Sequence, residues 1–312
     1  MKIGFFGTPD IAAHCLDSLA AEHDILFAVT PSDKPSGRSQ QVQCCPAKDR
    51  AVCYDIPVFQ PETLRDKDFV KEVQAFDADI YVVVAYGKLI PAEIFNYPPL
   101  KTINLHPSLL PKYRGAAPIP WAIINGEKTT GVTVQLINER MDAGDIVLQQ
   151  EISLDGDITT GELYDLVLPM GTDLLLKAIK GLGEGSIEPV PQVEEEATHC
   201  GKISRETACI DWNASAEVTH NLVRGLSPRP VAWSVFREKN IRIYRTSLPE
   251  KEEGLPNPAP GELVRFQKKR IIAGTGNGPL EILELQMENK KKMDGPAFIN
   301  GARLEPGETF SF

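Results

Sequence analysis

KTINLHPSLLPKYRGAAPI, Lys101–Ile119, reads as a buried strand that stops abruptly. Lys101 to Leu105 is apolar, and Asn104 and His106, two apart, point to the same face of such a strand. Pro107 lacks the amide hydrogen needed to continue the ladder, so the pair falls at the strand's carboxyl end. That is where open α/β sheets bind ligands. Thirty-six residues beyond His106 comes Asp142, in ERMDAGDIV. An amide, an imidazole and a carboxylate are thus candidates for one site. Singly, each has an ordinary structural explanation: Asn104 as a turn cap, His106 as a satisfied buried histidine, Asp142 as the start of a loop. The combination favours a site.

The rest of the first half alternates apolar strands with helical stretches. Strands are expected over Lys2–Phe6, Ile25–Thr30, Pro57–Phe59, Ile80–Ala85, Lys101–Leu105, Val132–Ile137 and Ile146–Ile152, and helices over Ile11–Ala21, Thr63–Phe76, Ile119–Asn125 and Gly161–Lys180. This implies a Rossmann-like α/β domain, a mostly parallel sheet with helices on both faces. The spacing of Gly4 and Gly7 is not the G-x-G-x-x-G fingerprint, so no dinucleotide is expected.

After a Gly-, Pro- and Glu-rich stretch, Gly181–Glu196, the pattern changes to short strands: Val231–Phe236, Ile241–Thr246, Gly261–Arg265, Arg270–Gly274 and Leu280–Gln286, preceded by a helix near Ala216–Gly225. Five short strands fit a small β-barrel of the oligonucleotide-binding type. The expected division is a first domain over residues 1–184, a linker over 185–198 and a barrel domain over 199–312. Charge follows it: residues 1–198 hold 16 Lys and Arg against 29 Asp and Glu, whereas 199–312 hold 17 against 14. Lys268-Lys269-Arg270 and Lys290-Lys291-Lys292 are candidate phosphate contacts.

At 312 residues and 42% apolar composition the chain suits two domains. MKIGFFGTPD reads as a strand entering a helix rather than as a signal peptide, no apolar window is long enough to span a membrane, and six cysteines without C-x-x-C spacing suit a reducing compartment. A soluble cytoplasmic protein without a metal site is expected.

The trio suits acyl transfer without a covalent intermediate, since no serine or cysteine lies in a nucleophile motif. An amine on the substrate then attacks a carbonyl. Asn104 and a protonated His106 are placed to donate to the oxyanion, and Asp142 to support the imidazolium and accept protons through water.

Asn104-x-His106 followed by Ser108–Pro111, with Asp142–Ile146 downstream, resembles the folate-dependent formyltransferases. The ordered series GTPD (Gly7–Asp10), DKPSGR (Asp33–Arg38), VFQP (Val58–Pro61), VVVAYG (Val82–Gly87), RGAAPI (Arg114–Ile119), KIS (Lys202–Ser204), IDW (Ile210–Trp212) and SPRPVAW (Ser227–Trp233) is similar to the branch acting on methionyl-tRNA, nearly end to end. The resemblance implies transfer of a formyl group from N10-formyltetrahydrofolate to the α-amino group of methionyl initiator tRNA. It implies catalytic Asn104, His106 and Asp142, and a folate wall of Ser108, Leu109, Leu110 and Pro111. For tRNA it implies contacts by Arg38 in the long loop Thr30–Val52 and by Lys290, Lys291 and Lys292. Neither a metal nor an obligatory protein partner nor a membrane is implied. The loop departs from the family's frequent Gly-Lys-Lys after the arginine, carrying Ser39-Gln40-Gln41. Two other readings stay open: a sugar-nucleotide N-formyltransferase with the same trio, and a non-catalytic tRNA-binding protein.

Overall fold

The computed structural model describes residues 1–36, 41–154, 156–267 and 269–311, with backbone only at 34–36, 41 and 42. Two compact units emerge, Met1–Gly115 with Gly131–Ile152 and Leu166–His199, and Ala116–Thr130 with Ser153–Asp165 and Cys200–Phe312. Neither is contiguous: the second takes in two segments that precede residue 185.

The chain begins with β1 (Lys2–Gly7), α1 (Asp10–Glu22), β2 (Asp24–Val29), α2 (Pro46–Cys53), β3 (Val58–Phe59), α3 (Lys67–Gln74), β4 (Ile80–Val84), α4 (Ala92–Phe95) and β5 (Thr102–His106). It continues with α5 (Pro118–Ile124), β6 (Thr129–Leu136), β7 (Ile146–Ser153) and α6 (Thr160–Glu184). The first sheet runs β7-β6-β5-β4-β1-β2-β3. Pairings among β1 to β5 are parallel, and β6 joins β5 antiparallel. The mostly parallel, Rossmann-like expectation therefore holds, with the departure next to the strand that carries Asn104 and His106.

β1 and β4 are buried nearly throughout, as central strands covered on both faces must be. Phe6, Phe27 and Tyr81 pack ring on ring, their centroids 5.6–6.1 Å apart. Gly4 makes this possible: a Cβ there would lie 2.4 Å from Phe27 Cζ and 2.6 Å from Tyr81 Cδ1. Its role is ring packing.

Helix α3 starts at Lys67, later than the expected Thr63, because the Asp66 carboxylate accepts from the amides of Asp68 and Phe69 and so caps it there. Helix α6 runs through Gly181 and Gly183 to Glu184, past the expected Lys180. A Cβ at Gly181 would stand 2.1 Å from Ile187 Cδ1, so this glycine admits the returning chain instead of ending the helix. Nor is the segment after α6 a loose tether: Val190 and Ile146 exchange two backbone hydrogen bonds, 2.8 and 2.9 Å.

The second unit contains α7 (Ala216–Leu226), β8 (Ala232–Phe236), β9 (Lys239–Ser247), β10 (Leu263–Phe266), β11 (Arg270–Thr275), β12 (Gly278–Met287), β13 (Met293–Asp294), α8 (Gly295–Ala302) and β14 (Phe310–Ser311). Its sheet runs β10-β11-β12-β9-β8-β14, with β13 on β12. The ladder closes where Leu263 N donates to Glu308 O and Phe310 N to Gly261 O, both 2.8 Å. The five expected strands are present, and the closing strand β14 is additional. Trp212 stacks on Phe310 inside, its indole N–H donating to Ser234 Oγ at 3.0 Å. Among the described residues no helix is long and apolar enough to cross a membrane.

A Cβ at Gly144 would lie 1.8 Å from the Leu136 carbonyl oxygen, whereas one at Gly87, with φ +80°, would meet nothing within 4 Å. Gly144→Ala should therefore cost about 1–3 kcal/mol by forced displacement of backbone. Gly87→Ala should cost only its left-handed strain, about 1 kcal/mol. Urea unfolding of the two variants checks the order; equal losses would contradict it.

Candidate active site

In the β5–β6 register Asn104 stands opposite Gln135 and His106 opposite Thr133. Directly paired residues share a face, so the four side chains project together at the carboxyl end of β5. Thr133 and Gln135, two apart in an apolar strand, are the sequence signal that pairs with Asn104 and His106; the sequence reading passed them over.

His106 is 4% exposed. Its Nε2 lies 2.9 Å from the Tyr113 carbonyl, which only accepts, so Nε2 carries the hydrogen and donates. Its Nδ1 lies 3.6 Å from Asp142 Oδ1, within ion-pair range though longer than a hydrogen bond. Both ring nitrogens thus face oxygen acceptors, Nε2 at hydrogen-bond distance and Nδ1 beyond it. The expected donation from His106 to an oxyanion meets a constraint here, since Nε2 is already engaged by Tyr113.

Asp142 sits in the left-handed region, φ 53°. The Gly115 amide donates to its Oδ2 at 2.9 Å and Gln135 Nε2 to its Oδ1 at 3.1 Å, so two donors hold the carboxylate in place. The half-buried Asn104 side chain makes no hydrogen bond to any described residue. Its amide is the free donor of the trio. The three predicted catalytic residues are brought together.

Of the predicted folate wall, Ser108 and Leu110 turn inward, and Leu109 and Pro111 are half-buried. Ser108 Oγ donates to Lys112 O (2.7 Å); Leu110 N donates to Thr133 Oγ1 (3.2 Å), and Leu110 O accepts from Gln149 Nε2 (2.7 Å). These bonds make the segment a rigid shelf. Its apolar surface comes from Leu109 and Pro111. The loop leaving β4, the strand parallel to β5, adds Ala85 and Gly87 at positive φ and Leu89, 74% exposed. An apolar shelf, a backbone loop and one free amide fit a flat heteroaromatic ligand carrying a carbonyl.

Beside Asp142 a cleft of about 170 Å³ is lined by Arg114, Gly115, Arg140, Met141, Ala143, Glu194 and His199. Arg114, only 2% exposed, donates to Gln192 Oε1 and in bidentate fashion to Glu194. Neither Gln192 nor Glu194 was singled out from the sequence, because both lie in the segment read as a linker. Among the described residues no group of three or more His, Cys, Asp or Glu is placed to hold a metal ion.

Of the predicted tRNA contacts, Arg38 lies outside the described residues, as does Lys268. Lys290 and Lys291 are exposed. Lys292 is partly engaged, paired with Glu284 at 2.9 Å and set 5.2 Å from the Tyr244 ring centroid. Arg270 is held by Glu281 at 2.7 Å and by Glu252, and its protonated form is favoured first by the hydrogen bond to Glu281. It is spent on the barrel itself.

Residues 1–179 match the formyl transferase family model and residues 202–303 that of the formyl transferase C-terminal domain. A methionyl-tRNA formyltransferase of Leptospira interrogans is 42% identical over 315 residues, covering 99% of this chain and all of that protein. One from Lachnospira eligens is 40% identical over 310 residues, covering 98% of each. In fold, the chain is similar to an N-formyltransferase from Helicobacter canadensis solved with folinic acid and dTDP-3-aminofucose, at TM-score 0.66 and 19% identity over 92% of this chain and 100% of that one.

Arg114's hydrogen bonds hold the Glu194 carboxyl below its ordinary range, against a smaller opposing effect of burial. A depressed carboxylate stabilises the fold above its unfolded pKa and ceases to do so as pH falls through the folded value. Arg114→Met should therefore be less stable at neutral pH, and its melting temperature should fall less steeply than wild type on acidification below the carboxylate range. Parallel pH profiles would show that the pair carries no linkage.

Proposed function

We infer that this chain, which belongs to the methionyl-tRNA formyltransferase family, transfers a formyl group from a tetrahydrofolate carrier to aminoacyl-tRNA, using Asn104, His106 and Asp142. N10-formyltetrahydrofolate is the donor and the α-amino group of methionyl initiator tRNA the acceptor. Full-length identity of about 40% to methionyl-tRNA formyltransferases, against 19% to the N-formyltransferase solved with dTDP-3-aminofucose, supports the tRNA acceptor over the amino sugar. Residues 1–184 perform the chemistry and 199–312 bind tRNA, so the protein acts in the cytoplasm, where translation initiates.

The observation that carries the chemistry is the free amide of Asn104 beside an imidazole both of whose nitrogens face acceptors. The amine of an aminoacyl ester is less basic than an ordinary amine and is substantially free near neutrality. It attacks the formyl carbonyl, whose carbon becomes tetrahedral and whose oxygen becomes an oxyanion. Asn104 Nδ2 donates the hydrogen bond to that oxygen, and a protonated His106, anchored through Nε2 to Tyr113, supplies positive charge nearby. Asp142, fixed by Gly115 and Gln135, balances that charge and holds the ring's orientation. The proton shed by the attacking nitrogen equals the one taken up by the departing folate nitrogen, so the site needs a relay and not a net acid or base. Asp142 reaches solvent and supplies that relay through water. The folate would rest against Leu109 and Pro111, with the chain after β4 on its other side.

Asn104→Ala should lower kcat by roughly 10²- to 10³-fold with folate affinity little changed, as for loss of one oxyanion donor. His106→Ala should do similar harm, and Asp142→Asn should keep the fold but lose activity. Single-turnover formylation of methionyl-tRNA measures all three. Wild-type rates in every variant would return the trio to a structural role.

Replacing Lys290, Lys291 and Lys292 together with alanine should raise KM for tRNA and flatten its dependence on salt, because fewer counterions are released on binding. The rate at saturating tRNA should hold. An unchanged salt slope would mean that these lysines do not touch phosphate, with Lys292 spent on Glu284.

A further inference from the structure

The segment following α6 sends one side chain back to the site. Gln192 Nε2 directs its two hydrogens at three oxygens that share them: Gln135 Oε1 at 3.2 Å, the Asp142 carbonyl at 3.0 Å and the Gly144 carbonyl at 2.7 Å. Its Oε1 accepts from Arg114 Nε at 3.0 Å and from Nη2 at 2.9 Å. Both ends of this amide are occupied.

Their direction is forced. Arg114 has only donors, so the oxygen of the Gln192 amide must face it and the NH₂ must face the three oxygens. Gln135 therefore presents its own oxygen to Gln192, which turns its NH₂ toward Asp142 Oδ1, 3.1 Å away. That oxygen is also the one 3.6 Å from His106 Nδ1. The fixed charge at Arg114 thus favours, through two amides, the same orientation of Gln135 that the carboxylate requires. The same Gln192 holds the backbone of Asp142 and Gly144, in a turn where Asp142 has φ 53°.

We infer that Gln192 is a positioning residue for formyl transfer, acting through Gln135 and the 142–144 turn to present Asp142 as an acceptor-only carboxylate to His106. This rests on the reading of Asn104, His106 and Asp142 given above. Gln192 itself touches no reacting atom. Its contribution is geometric and electrostatic: without a donor at Gln192 the carbonyls of Asp142 and Gly144 lose the side chain that ties the turn, and the Gln135 oxygen loses its partner, so the carboxylate alone is left to orient the Gln135 amide.

The full-length enzyme is assayed for formylation of methionyl-tRNA as Gln192→Glu, Gln192→Leu, Asp142→Asn and the Gln192→Leu/Asp142→Asn double variant, each with its melting temperature. Gln192→Glu has the same shape and still accepts from Arg114 but donates nothing. It should lose roughly 10²-fold in kcat, the scale set by a small misplacement of a catalytic group, with KM for both substrates unchanged. In the Asp142→Asn background Gln192→Leu should add almost nothing to the loss, because it acts through the residue already removed. A residue important only for the fold would lower the melting temperature and give additive losses. Additive losses, or wild-type kcat in Gln192→Glu, overturn the inference. Should the Gln192 variants not fold, Gln135→Leu tests the same relay from its other link: non-additivity with Asp142→Asn supports it and additivity overturns it. Normal turnover by Asp142→Asn would sink the reading of the trio and the relay together. A crippled Asp142→Asn beside an unaffected Gln192→Glu would sink the relay alone.

Discussion

The register of β5 against β6 places Asn104 opposite Gln135 and His106 opposite Thr133, and the chemistry of the site depends on it. A slip of one residue would turn both polar pairs to the other face of the sheet. The pairing is antiparallel, in a sheet otherwise parallel from β1 to β5, so the chain leaves β6 opposite Ile103, toward the amino end of β5, and then turns back until the Asp145 carbonyl accepts from the Leu136 amide. That return is how Asp142 comes to face His106. Gly144 permits the turn, since its missing side chain lets the backbone cross the Leu136 carbonyl.

Around this register the polar groups form one satisfied network. Thr133 Oγ1 donates to Ser108 O at 2.6 Å and accepts from Leu110 N and Gln149 Nε2, so the shelf after His106 is tied to β6 as firmly as the trio is. Buried polar networks are costly when partly satisfied and rigid when complete. Here the amide of Asn104 stands outside it, and on the function proposed above a donor left free beside such a network would cost no reorganisation when an oxyanion forms there.

Much of this was legible in residue order. The polar pair ended by Pro107 located the strand end, period and β-branched content located most strands, and the ordered motifs pointed to the family. The closing strand was not legible: β14 has two residues, too few to display alternation, and only the closing ladder defines it. The late start of α3 required knowing that Asp66, rather than Thr63, caps it. Gln192 was hidden by composition. Its neighbours Pro189, Pro191 and three glutamates look like a linker, and only the three-dimensional path of the chain brings it to Arg114 and Asp142.

Charge sets a further limit on how a polyanion is bound. The first 198 residues carry an excess of 13 acidic groups and the remainder an excess of 3 basic ones, yet in the barrel Arg270 is clasped by Glu252 and Glu281 and Lys292 by Glu284. A cation already neutralised by a neighbouring carboxylate gains less from a phosphate, because it must first give up that partner. Electrostatic attraction therefore falls to fewer cations than the composition suggests. A weakly basic surface gives modest non-specific affinity for nucleic acid. On the function proposed above, discrimination of the aminoacyl end would then rest on the shaped, rigid site around Asn104, where a misplaced amine fails to reach the formyl carbon.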